Sequence, residues 1–102
     1  MKEIPQKTLN LNVEDKNLLL EYFLIEENLN SSSDIKMYGV KINMTETFSN
    51  GTTVHDTKSV HGMFSNRVQI DEFIDKLIAG TVTPLTLECI AKDYIVDLLY
   101  VK

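Results

Sequence analysis

Two amphipathic stripes fill the last third of the chain. Ile70, Phe73, Ile74, Leu77 and Ile78 recur at i, i+3, i+4, i+7 and i+8, and Leu87, Ile90, Ala91, Tyr94, Ile95, Leu98 and Leu99 continue the same periodicity further on. Each set lines one face of an α-helix, and such a face must be buried against something. Helix signals bracket both stripes. Asn66 with Gln69 three residues on predicts an N-terminal capping box, with Ser65 as the competing cap. Gly80 is expected to turn left-handed and stop the first helix. Thr83 is the expected cap of the second, with Pro84 at its first position, where the missing N–H costs nothing. The helical pair is therefore expected over residues 67–99.

The first part of the chain alternates with a period of two. Leu9, Leu11 and Val13 oppose Thr8, Asn10 and Asn12, which predicts a half-buried strand from Gln6 to Val13, with residues 1–5 as a loose end ahead of it. Glu14-Asp15-Lys16-Asn17 reads as a polar hairpin loop. Leu18 to Ile25 is almost continuously apolar and fits either a strand buried on both sides or a buried helix; the hairpin before it and the polar stop at Glu26-Glu27-Asn28 favour the strand. Asn28 to Asp34 is a polar connection. Lys36 to Phe48 reads as a third strand, with Tyr38, Val40, Ile42, Met44 and Phe48 on one side. Glu46 interrupts that side, so the strand is expected to leave the core there. Gly39 within it points to a bulge or a close backbone approach. Asn50-Gly51 predicts a type I′ turn and a hairpin to a polar edge strand, Thr52 to His61, in which Lys58 guards the edge. The fold class expected is α+β: a four-stranded, mainly antiparallel sheet (two hairpins) with two C-terminal helices packed on one face, in the order ββββαα. The 102 residues are expected to form one domain, the sheet over 6–61 and the helices over 67–99.

Composition narrows the chemistry more than it suggests any. The chain is 43% hydrophobic and 25% charged, ordinary for a folded domain, and it has no tryptophan. Ten basic against fifteen acidic side chains leave a formal charge of −5 with no basic patch, which argues against binding nucleic acid through its phosphates. The helix–turn–helix in the last third does not reverse this, because the outward positions Thr86, Glu88, Lys92, Asp93 and Asp97 make a net acidic face. A single cysteine, no apolar stretch near its start and no run long enough to span a bilayer lead to the expectation of a cytoplasmic protein without a signal peptide.

Catalytic, cofactor-binding and metal-binding residues are all expected to be absent. His55 and His61 share a side of the last strand but stand about 20 Å apart at ~3.3 Å per residue, too far to share one metal ion. Cys89 borders the buried stripe of the second helix and is expected to be a half-buried structural thiol. The carboxylates Asp71, Glu72, Asp75, Asp93 and Asp97 lack the companions of a metal or phosphate site.

A strand carrying Tyr38-Gly39-Val40, a helix ending in a small loop, and the restart Val82-Thr83-Pro84-Leu85-Thr86-Leu87 leading to Asp93-Tyr94 resemble a family of small domains, about as long as this chain, of unknown function from clostridia and related Gram-positive bacteria. The resemblance runs from Leu18 to Tyr94. It implies a bacterial cytoplasmic setting and no catalytic residue.

The function these features suggest is a non-enzymatic interaction or regulatory module, working through contact with a protein partner or a second copy of itself. Tyr94, Ile95, Leu98 and Tyr100 are its candidate interface anchors. The alternative is a small-molecule-binding or enzymatic domain whose pocket lies between sheet and helices and draws on Tyr22, Tyr38, His61 or Cys89.

Overall fold

The computed structural model describes residues 1–29 and 34–100, the side chains of Leu99 and Tyr100 excepted. Four strands precede two helices: β1 (Lys2–Val13), β2 (Lys16–Asn28), β3 (Lys36–Phe48), β4 (Thr53–Phe64), α1 (Arg67–Ala79) and α2 (Pro84–Tyr100). The strands pair in chain order as an antiparallel meander. Both helices lie on one face, α1 spread over β2, β3 and β4, and α2 mainly along β4. This is the expected α+β arrangement.

The ambiguous apolar run Leu18–Ile25 is strand, and its two sides differ. Leu20, Tyr22 and Leu24 face the helices and are essentially inaccessible, whereas Leu19 and Phe23 on the other side are half-buried. On β3, Val40 and Ile42 join the helix-facing set, packed under Ile70, Phe73, Ile74 and Leu77 of α1 and Leu87 and Ala91 of α2.

The strands outrun their expected bounds. β1 begins at Lys2, so residues 2–5 are not a loose end; Pro5 is accommodated because β1 is a sheet edge and its register with β2 shifts between Pro5 and Lys7. β4 continues past His61 to Phe64. β3 does not leave the core side at Glu46, because Lys16 meets that carboxylate at 2.9 Å. The β1–β2 turn takes two residues rather than four, with Glu14 at φ 53°. The β3–β4 turn is not type I′, since only Gly51 is left-handed (φ 89°). Gly51 N–H donates to the Phe48 carbonyl and Phe48 N–H to that of Thr52, both at 2.9 Å, which makes a three-residue loop closed by a glycine bulge. The Asn50 side chain accepts from Thr52 N–H (2.9 Å) and stabilises this longer loop. The connection expected at Asn28–Asp34 falls largely on residues 30–33, outside the described residues.

Asn66 caps α1 as expected, its side chain accepting from the N–H groups of Val68 (2.8 Å) and Gln69 (3.3 Å). The end of α1 differs from expectation. Gly80 keeps φ −88°, and the left-handed residue is Thr81 at φ 51°. Thr81 N–H donates to the Ile78 carbonyl (3.1 Å) and Val82 N–H to that of Leu77 (3.0 Å), the bond pattern of a Schellman motif with threonine where glycine is usual. The motif turns Val82 onto the core, and its carbonyl accepts a 2.7 Å hydrogen bond from the Tyr22 hydroxyl, which ties the interhelix loop to the middle of β2.

Two predictions follow from this corner. A β-branched residue in the left-handed region costs about 1–2 kcal/mol. Thr81→Gly, which touches no core contact, is expected to raise stability by about 1 kcal/mol after the extra unfolded-state entropy is subtracted, read as a higher urea midpoint at unchanged slope. Burial pushes the Tyr22 hydroxyl up from 10.0 to about 12. Between these values the unfolded chain has lost a proton that the folded chain still holds, so folding stability falls as pH rises and levels off above about 12. The loss is of order 2–3 kcal/mol. Tyr22→Phe is expected to lose about 1 kcal/mol at neutral pH, from the unpaired Val82 carbonyl, and to show a smaller decline than the parent in alkaline urea titrations.

Candidate functional site

The face of the sheet turned away from the helices carries a set of converging polar side chains. Its rows are set by register: Thr8, Glu21, Asn43 and Thr57 lie across one line, and Pro5, Phe23, Lys41 and Ser59 across the next. Lys41 meets Glu3 at 3.0 Å and stands over the Phe23 ring at 5.7 Å.

The pattern breaks at Gly39. Tyr38 pairs with Phe64 and Val40 with Val60, so three residues of β4 (His61, Gly62, Met63) stand against one of β3. The β4 backbone crosses so close to Gly39 that an added Cβ would lie 2.1 Å from the Val60 carbonyl oxygen and 2.9 Å from the His61 Cα. This is the close approach expected at that glycine. Ile25, the β2 partner of Gly39, is 1% exposed although its side of the sheet carries no helix.

The bulge re-aims His61. Its backbone lies against Gly39 and its ring reaches β2, where Nδ1 lies 2.8 Å from Glu27 Oε1. Its other nitrogen, Nε2, lies 3.1 Å from Ser59 Oγ. A carboxylate only accepts hydrogen bonds, so in the neutral ring Nδ1 carries the proton and donates to Glu27, and Nε2 accepts from the Ser59 hydroxyl. The three groups form a carboxylate–imidazole–hydroxyl relay, with the His61 side chain 47% exposed and that of Glu27 34%. A cleft of about 240 Å³ opens beside it, lined by Glu27, Asn28, Leu29, Met37, His61 and Gly62. A larger cleft of about 350 Å³ lies at the hairpin tips around Lys16 and Phe48, and one of about 270 Å³ beside Met1 and Lys36 shares Asn28 with the cleft at His61.

The residues considered for a pocket between sheet and helices are not brought together. Tyr22 is buried with its hydroxyl on Val82, Tyr38 is half-buried on the helix side, and His61 is on the opposite face. Cys89 is exposed rather than half-buried, because the buried stripe of α2 runs through Leu87 and Ala91 and leaves position 89 turned outward. None of the three clefts lies between the layers. Of the interface anchors, Tyr94 is packed between Phe64 (ring centroids 6.0 Å, edge to face) and Phe73 (4.7 Å). Ile95 packs against the core, and Leu98 is 44% exposed. The Tyr100 side chain lies outside the described residues. Among the described residues no three His, Cys, Asp or Glu side chains converge as a metal site.

Sequence reading singled out His61 but neither Ser59 nor Glu27. The i, i+2 spacing of Ser59 and His61 on one strand face was a readable signal; Glu27 becomes a neighbour only through strand register.

Gly39→Ala is expected to destabilise the fold by at least about 2 kcal/mol, because backbone must yield to the new methyl group. Urea unfolding measures this loss.

Comparisons with curated proteins and with solved structures give no match. Residues 1–97 match the family of unknown function DUF6514, and the chain belongs to that family.

Proposed function

We propose that this chain is a small interaction or regulatory module acting through protein–protein contact, with a second copy of itself or one protein partner. The setting we propose for it is the cytoplasm of a Gram-positive bacterium, which fits the exposed thiol of Cys89 and the earlier resemblance to clostridial domains. No helix of the described residues is long and apolar enough to cross a membrane.

One observation carries the reading: the helical layer is shorter than the sheet. Strands of 12 and 13 residues run about 40 Å at ~3.3 Å per residue. The 13 residues of α1 cover about 20 Å at ~1.5 Å per residue. α1 starts near Phe64 and the loop after it reaches Tyr22 at mid-strand, so the sheet's hairpin half runs on without a helix above it. On the helix side of that half, Leu11, Leu18 and Phe48 are only half-buried, and Val13 and Val54 are 41% and 46% exposed. This exposed apolar surface on the hairpin half is of the kind that marks contact sites. α2 separately leaves Leu85, Val96 and Leu98 exposed.

Sedimentation over a range of concentrations, followed by affinity capture from host lysate, tests the proposal. The parent is expected to self-associate or to retain one protein near stoichiometrically, and Val13→Asp and Val54→Asp, both at exposed positions, are expected to weaken that association at least tenfold. A parent that stays monomeric and retains nothing reproducibly overturns the reading.

A further inference from the structure

We propose that Ser59 is a nucleophile activated by His61 and Glu27, and that it accepts acyl groups from donors with a good leaving group, thioesters or aryl esters. This goes beyond the interaction reading and does not depend on it.

Three observations support the assignment. The order of contacts, Glu27 Oε1 to Nδ1 at 2.8 Å and Nε2 to Ser59 Oγ at 3.1 Å, places a proton acceptor on the hydroxyl and an anion behind the ring. The anion fixes the tautomer in which Nε2 is free to take the hydroxyl proton, and it stabilises the imidazolium that forms. A chance meeting of these side chains on a regular sheet is also disfavoured by topology. Glu27 is on β2 and His61 on β4, with β3 between them, and the ring reaches across only where the bulge meets a glycine. Finally, His61 lines a cleft with apolar walls from Leu29 and Met37 that opens on the Glu27 side of the ring, a place beside the base for the apolar part of a donor; Ser59 itself is outside that lining.

The donor class follows from what the open face provides. Nucleophile and base are in place, while the carbonyl oxygen of a bound acyl group would face water, so the leaving group must depart readily by itself. In the acylation step Ser59 Oγ attacks the carbonyl carbon and passes its proton to His61 Nε2. The carbonyl electron pair moves onto oxygen and, on returning, expels the thiolate or phenolate, which takes the proton from Nε2. Ser59 is left as an acyl ester and His61 neutral. Water then attacks that ester, giving a proton to Nε2, and collapse returns the proton to Ser59 Oγ as the carboxylic acid departs.

The test treats the full chain with a fluorophosphonate probe, which phosphonylates an activated serine with loss of fluoride, and in parallel with p-nitrophenyl acetate; intact-mass and peptide analysis locate the adduct. The expected result is one adduct at Ser59, abolished in Ser59→Ala, formed at least tenfold more slowly in His61→Gln and several-fold more slowly in Glu27→Gln. His55→Ala, which alters the other exposed histidine, should label at the parent rate. Thermal melts confirm that each variant is folded, and all four positions are wholly or partly accessible. No adduct at Ser59, or labelling at Ser59 that persists at the parent rate in folded His61→Gln, overturns the proposal.

Discussion

The crossing of β4 over Gly39 is the constraint on which both faces of the molecule depend. Because position 39 has no side chain, the β4 backbone comes to where a Cβ would stand, and three residues fit against one. On the helix side this bulge returns Phe64 to register with Tyr38, so that its ring is buried and meets Tyr94 of α2 edge to face. On the other side it delivers His61 to Glu27. One absent methyl group thus governs how the chain enters its helical layer and which polar groups meet behind the sheet.

The helical layer is fastened at its other end by Tyr22. Its hydroxyl would be costly to bury unpaired, and the Val82 carbonyl, turned inward by the left-handed Thr81, is the group that satisfies it. Among the described residues no buried side-chain polar atom lacks a partner. Between these two fastenings the helices lie over the half of the sheet next to Phe64. The hairpin half keeps its alternating pattern without a layer above it, and this mismatch in length produces the apolar surface on which the interaction reading rests.

The two candidate activities occupy opposite faces. The apolar surface is on the helix side toward the hairpin tips, and Ser59, His61 and Glu27 are behind the sheet toward its other end. Parity makes this separation unavoidable, since adjacent residues of a strand point to opposite sides. A partner seated on the first surface leaves the second open to solvent.

The amino-acid sequence by itself determined the elements: four strands from period-two alternation, two helices from their stripes, the Asn66 cap, the proline start at Pro84 and the close approach at Gly39. These are local, set by side-chain periodicity and backbone preference over a few neighbouring residues. It misjudged the ends of that local grammar, at Pro5, Glu46, Asn50 and Gly80, where an edge position, an ion pair from the next strand, a longer loop and a left-handed threonine overrode the nearest signal. The sequence favoured a strand at Leu18–Ile25 and the structure settles it; the tertiary structure alone decided that Cys89 faces outward and that Glu27 meets His61 from 34 residues away. The physical reason is the same in each case. Periodicity states which residues share a side, but strand register and the bulge decide which sides meet, and those depend on contacts between segments far apart in the chain.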